Sequence, residues 1–309
     1  MRLSIGMNYY RFTREDKTIR PYTEQLIKCA EGGFRVMDIS CASIMRPAKN
    51  DPFSRDDWEK TAHEVRELAD KIGIDISQSH APFNFAPAKH ADEPDYVERF
   101  HDAIDRAIRI SAIVGVKQMV THPFNTLKRE GAYNPEQLQR DNIEFFARHI
   151  ELADKLGVGI AFENMLQSGI AWADNPRYCA LTDELISLID TINAPHVGAC
   201  WDFGHAHIAC CDKTCPMTDH ADELRKLGKR LRSTHVHDNS GTRDLHQLPF
   251  VGGNIEWEKL MPVLREIGYE GDFTYESAAY VDDMPAPLRD TATKFAYDVG
   301  MYLLGLCDK

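Results

Sequence analysis

The chain has 309 residues, enough for two average domains or for one large α/β barrel, a fold that takes roughly 250 residues. With 43% apolar and 27% charged residues, it has the composition of a globular protein able to bury a core. A net charge of −12 argues against a nucleic-acid binder, which needs a basic face, and against an anionic membrane surface.

The N-terminal MRLSIGM runs straight into a strand-like segment without an apolar leader, and no stretch approaches the roughly 18 apolar residues of a membrane span. A cytoplasmic protein without membrane or nucleic-acid partners is expected. Eight short apolar, β-branched runs read as strands, at 3–7, 34–39, 74–79, 116–121, 158–163, 196–202, 231–237 and 272–276. Helical spacing lies between them. It is clearest at 56–72, where Trp58, Val65, Leu68, Ala69 and Ile72 form a stripe, and recurs at 94–114, 135–156 and 286–305. Gly73, Gly115, Gly157 and Gly268 each stand between a helical pattern and the next strand, where a left-handed turn ends the helix cheaply. The non-periodic stretches 40–55, 81–94, 123–134, 164–175, 203–220 and 238–255 all follow strand ends. Eight βα units without a Pro/Gly/Ser linker predict an α/β protein, a single (β/α)₈ TIM barrel over 1–309, with its long loops on one face.

Six strand segments end in ligand or acid–base residues: His80 in SQSH, His122 in MVTH, Glu163 in IAFEN, Asp202 in GACWD, His235, His237 and Asp238 in STHVHD, and Glu276 in FTYES. Parallel strands bring such ends to one mouth. Glu163, Asp202, His235 and Glu276 offer hard oxygens and one imidazole, which suit one divalent ion: Mn²⁺, Mg²⁺, Co²⁺ or Zn²⁺. A single such residue would read as a surface ion pair; four at successive strand ends read as a metal site. His205 follows Asp202 by one turn and is expected to be a ligand or to touch a substrate oxygen. His235 and His237 share a side of their strand, so only one sits easily at the depth of a shared ion. His80 and His122, across the mouth, fit substrate contact, a further ion, or the simple satisfaction of buried polar groups. His246 fits the same roles or those of a solvated loop residue. The VGGN turn at 251–254 offers backbone N–H groups to a phosphate, or is only a turn. The eight cysteines have no regular framework, and the spacing of Cys210, Cys211 and Cys215 lacks the paired pattern of structural zinc.

These residues sit in motifs that resemble the xylose isomerase-like barrels, the sugar isomerases and epimerases related to endonuclease IV. The motifs are HAP at 80–82, ENM from 163, DFGH at 202–205, HVHDNSGTRDLHQLPFVGGNIEW at 235–257 and GYEGDFTYES ending at Ser277. The resemblance implies a divalent-metal-dependent isomerase or epimerase of a small carbohydrate, in a family where dimers are common. It implies that Glu163, Asp202, His235 and Glu276 hold the ion, with Glu163 and Glu276 as catalytic residues on opposite faces of the substrate carbon. His205, His80, His122, His237, His246 and Arg243 would then contact substrate. Two departures stand out: Gly241 occupies the position of the arginine that follows the metal histidine in ketose 3-epimerases, with Arg243 out of register. Gly169 stands where a second glutamate would follow the fifth strand. A lyase or dehydratase acting on a sugar acid, keto-inositol or C-glycoside fits the same scaffold, as does a sugar-sensing barrel. A three-zinc phosphodiesterase would use His80, His122, Glu163, Asp202, His205, His235, Asp244, His246 and Glu276, but its DNA substrate calls for basic loops that this acidic chain lacks.

Overall fold

In the computed structural model, the described residues are all but 12–18, 46–50, 84, 86–89, 91, 125–132, 168–171, 173–175 and 308–309. Eight strands form where the apolar runs predict them: β1 (Leu3–Gly6), β2 (Val36–Ser40), β3 (Asp75–His80), β4 (Gln118–Thr121), β5 (Gly159–Glu163), β6 (Val197–Asp202), β7 (Leu231–His235) and β8 (Phe273–Tyr275). Neighbours pair in parallel in the order β7-β6-β5-β4-β3-β2-β1-β8. Closure comes just past the end of β7. Val236 N–H donates to Thr274 O at 2.8 Å, and Glu276 N–H donates to Val236 O at 3.0 Å. The sheet is a TIM barrel, and the closing bonds fix Glu276 beside His235.

The outer layer comprises α1 (Tyr22–Glu31), α2 (Trp58–Ile72), α3 (Tyr96–Val114), α4 (Pro135–Leu156), α5 (Thr182–Ile192), α6 (Phe203–Cys211), α7 (His220–Leu227), α8 (Trp257–Glu266), α9 (Ala278–Asp282) and α10 (Arg289–Leu306). α2 buries Ala62, Val65 and Ala69, while Ile72, expected on the same stripe, is 38% exposed at the helix end. The glycines predicted to end helices adopt positive φ, from 69° at Gly268 to 88° at Gly115, which only glycine takes at little cost. α6 corrects the expectation of a loop over 203–220. Its sequence, FGHAHIACC, is apolar almost all round and carries no 3.6-residue contrast. The helix starts where it does because the Asp202 carboxylate accepts from His205 N–H at 2.7 Å, an N-cap. Among the described residues, no helix is long and apolar enough to cross a membrane. All eight cysteines are free thiols.

Candidate active site

Parallel pairing delivers the expected residues to one mouth. His80, Glu163, Asp202 and His235 are the last residues of β3, β5, β6 and β7, and Asp202 is in register with His235. Ligand atoms of Glu163, Asp202, His235 and Glu276 lie within 4.8 Å of one another. His235 Nδ1 is 3.3 Å from Glu163 Oε2 and 3.1 Å from Glu276 Oε2, yet this buried atom has no hydrogen-bond partner. A buried imidazole nitrogen is seldom left without a partner. Donor atoms about 3 Å apart without hydrogen-bond geometry are what a shared ion with bonds of roughly 2.1 Å requires. Three carboxylates and one imidazole therefore fit the divalent cation that the sequence suggests.

Around this group, three histidines have their orientation fixed by backbone carbonyls. His80 Nδ1 lies 2.8 Å from Ala81 O, His205 Nδ1 2.9 Å from Asn164 O, and His246 Nδ1 2.7 Å from Glu276 O. A carbonyl only accepts, so each Nδ1 carries the hydrogen and each Nε2 faces the mouth, the usual preparation of a ligand or acceptor histidine. His80 Nε2 is 3.2 Å from His122 Nε2, which is 3.0 Å from Glu163 Oε2. His246 Nε2 is 3.0 Å from Asp244 Oδ2, and His205 Nε2 is 3.6 Å from it. His237 Nε2 is 3.1 Å from Asp202 Oδ2, with its ring stacked 4.2 Å from that of His246. His246 is thus no solvated loop residue. Its backbone takes φ 47°, next to Gln247, whose backbone pairs with that of Asp238.

The charges are tightly coupled. Burial opposes ionisation of Glu163, but the His235 and His122 imidazoles hold its carboxyl well below the usual range. Burial likewise opposes ionisation of Asp202, and His205 and His237 lower it. In return, against the effect of burial, Asp202 and Asp244 push His205 up to about 9, and Asp244 and Glu276 push His246 up to about 10. Protons on these imidazoles balance the buried carboxylates, a place that a cation would take with proton release.

Other expectations part from the structure. Arg243 is exposed, and among the described residues no hydrogen bond or ion pair draws it to the mouth. Gly241 has φ 80°, and a Cβ there would meet Cys211 Sγ at 2.5 Å, so no arginine fits its place. Gly169 lies outside the described residues. The VGGN turn is poorly suited to a phosphate. Val251 N donates to Leu248 O at 2.9 Å, Asn254 N donates to Asn239 O at 3.0 Å, and the Asp238 carboxylate packs against Gly253, drawing in the amides that flank the turn. The Asp238 carboxylate accepts from Phe250 N at 3.1 Å, Ile255 N at 3.1 Å, Trp257 Nε1 at 2.8 Å and its neighbour Asn239 N at 2.8 Å. Two residues of the site are not legible in the strand-end pattern. Asn164 clamps β6 to β5, accepting from Asp202 N at 2.6 Å and donating to Asp202 O at 3.0 Å. Asp38, buried on β2, lines a cleft of about 150 Å³ with His80, His235 and Glu276, and burial raises its carboxyl to about 6. The apolar run FRVMDI, ending near an acid, is the signal that would have found it.

Residues 26–296 match the family model described as xylose isomerase-like TIM barrel. This chain belongs to the xylose isomerase-like TIM barrel family. The uncharacterized protein MJ1311 of Methanocaldococcus jannaschii is 26% identical over 258 residues, covering 82% of this chain and 78% of that protein. Among solved structures, a D-tagatose 3-epimerase-like protein superposes with a TM-score of 0.72 at 20% identity, covering 100% of this chain and 98% of its own. The 3-keto-D-glucoside 4-epimerase YcjR of E. coli, in its apo form, gives 0.66 at 14% identity, covering 96% of this chain and 100% of its own. These structural likenesses place this member of the xylose isomerase-like family firmly on the barrel fold.

Proposed function

We propose that this chain is a divalent-metal-dependent isomerase or epimerase of a small sugar or sugar derivative. The observation that carries the reading is the pair of glutamates flanking His235, with Glu163 Oε2 at 3.3 Å and Glu276 Oε2 at 3.1 Å. The epimerase names of the structural neighbours support it. Glu163, Asp202, His235 and Glu276 would hold the ion, which when bound supplies positive charge against the negative charge that builds on the substrate oxygens. The chain's own residues do the rest. A C–H beside a carbonyl is weakly acidic, so one glutamate removes that proton and the other delivers one to the opposite face, together inverting the carbon. Asn164 fixes Asp202, and hence the relative depth of β5 and β6. His205, His80 and His246 present Nε2 atoms to substrate oxygens, their tautomers set by the carbonyls behind them.

The test is deuterium exchange. The metal-loaded protein is incubated in D₂O with ketoses, ketose phosphates and keto-inositols, and incorporation at the α-carbon is read by NMR. Incorporation without loss of substrate mass supports the isomerase or epimerase. Incorporation with loss of water marks a dehydratase on the same scaffold. A chain that binds sugar without exchange is a sensor, and the proposal falls. One geometric feature favours a second reading, a multi-ion phosphodiesterase: His80 and His122 converge on Glu163, while His205 and His246 converge on Asp244. Three tightly held ions per chain, together with hydrolysis of an abasic DNA duplex, would select it.

A further inference from the structure

The opposite end of the barrel is open. Two and four residues before Glu163 stand Ala161 and Gly159; two and four before Asp202 stand Cys200 and Gly198. A period of two puts these on the same inner face as the site residues. Barrel interiors are ordinarily filled by layers of bulky branched side chains. Here Val120, Ala161 and Cys200 form a small apolar plug. Below it the Gln118 side chain packs directly against Gly159, and the Arg232 stem and the Arg230 carbonyl pack against Gly198. A cavity of about 920 Å³ lies at the N-terminal mouth, walled by residues of β3, β4 and β7 and by the segments that precede β1, β4, β7 and β8.

Its lining is chemically specific. Ser77 and Ser233 are 6% and 2% exposed, and both Oγ atoms lack any hydrogen-bond partner, as does Gln118 Oε1. Buried hydroxyls are ordinarily satisfied, so these await a polar occupant. Four cations line the same cavity in a chain of net charge −12. Arg2 is committed to Asp272 and Asp75, at 2.8 Å each. Lys117, Lys229 and Arg232 form no ion pair among the described residues, and Glu270 is the one lining carboxylate not already paired. Unpaired cations at a rim above unsatisfied hydroxyls suit a ligand with an anionic head and a hydroxylated body.

We propose that this mouth is a second binding site, for a small phosphorylated polyol, separate from the catalytic mouth and independent of its chemistry. Isothermal titration calorimetry on the full chain tests it, with glycerol 3-phosphate, inorganic phosphate and glycerol as probes. Glycerol 3-phosphate is expected to bind one per chain, more tightly than phosphate, with glycerol silent. Lys117→Glu and Arg232→Glu, both at exposed positions, should each weaken it about tenfold or more, a loss of about 1.4 kcal/mol. Glu163→Gln should leave it unchanged. The proposal is overturned by an absence of binding, by equal affinity for phosphate and glycerol 3-phosphate, or by binding that survives both charge reversals. Loss of binding in Glu163→Gln would also overturn it, by moving the ligand to the catalytic mouth.

Discussion

His235 Nδ1 lies 3.1 Å from Glu276 Oε2 and forms no hydrogen bond with it. The barrel enforces this approach, since the closing bonds between Val236 and the end of β8 leave neither residue free to retreat. An imidazole that cannot bond its neighbour is poised for a third party. His235→Ala is therefore expected to cut divalent-ion content, measured by inductively coupled plasma mass spectrometry after dialysis, by at least about tenfold. Chelation of the parent protein should lower its melting temperature, and re-addition of the ion should restore it and release protons. Unchanged ion content in His235→Ala would remove the metal site from these four residues.

The two glutamates sit in unlike surroundings, Glu163 with its side chain 1% exposed and Glu276 with 29%. Each replaced by Gln should lose about 10²- to 10⁴-fold in turnover. The two variants should differ in kind. With only one base left, each can exchange the α-proton of one epimer alone, so exchange in D₂O should become specific to opposite epimers in Glu163→Gln and Glu276→Gln. Identical residual specificity would show that a single group handles both proton transfers.

Much of this was legible because the physics that makes a strand also makes a mouth. Apolar runs ending at His80, Glu163, Asp202 and His235 predict both the sheet and the site, and glycines such as Gly115 mark where helices stop. What escaped depends on partners distant in sequence. α6 has no amphipathic contrast to read, and its start depends on a cap by Asp202 that doubles as a site residue. The capture by Asp238 of the amides flanking the VGGN turn follows from a loop folding back across 17 residues, which no local pattern records. Arg243 is placed near the mouth by motif position alone, and among the described residues it is exposed, with no hydrogen bond or ion pair to a site residue.

Stability should fall with acid through residues outside the site. His149 is fully buried, with Nδ1 2.7 Å from Asp105 and Nε2 2.7 Å from His101 Nδ1. Burial lowers it to about 4, although Asp105 opposes the shift. His220, whose Nε2 accepts from Trp201 Nε1 at 3.0 Å, is lowered by burial to about 3. Both are neutral in the fold, so their contribution is complete above the unfolded value near 6.5 and is lost as pH falls from there through 4. His149 alone should cost about 2 kcal/mol between pH 7.5 and pH 5. Urea midpoints at the two pH values check this, and His149→Gln should shrink the difference. A drop of the same size in that variant would refute the assignment.

Asp238 holds the loop that carries His246. Its carboxylate, 1% exposed, gathers four donors, three of them backbone N–H groups. Asp238→Ala would strand them in a dry environment at about 1 to 3 kcal/mol for each that water cannot reach. The expected loss is at least about 3 kcal/mol of unfolding free energy, with Trp257 fluorescence shifted to the red as its indole N–H loses its partner. A variant within about 0.5 kcal/mol of the parent would mean that the loop is held by other contacts.

Gly204 meets the site from behind. A Cβ at this position would overlap the His237 imidazole, and that ring has little room, stacked 4.2 Å from His246 and buried completely. The backbone of Gly204 is helical, so alanine itself is comfortable there and the cost comes from the collision. Gly204→Ala should push His237 off Asp202, which it now meets at 3.1 Å, and through Asp202 disturb the ion shell. Overpacking of this kind costs about 1 to 3 kcal/mol, too little to unfold an ordinary domain, so the variant should remain folded by circular dichroism. Its affinity for the divalent ion should fall by about 10- to 100-fold, the usual effect of disturbing a residue behind a ligand. His237→Ala in the Gly204→Ala background supplies the decisive comparison. Removing the ring removes the collision, so the double variant should regain stability relative to Gly204→Ala, whereas equal or lower stability would show that the overlap is relieved elsewhere.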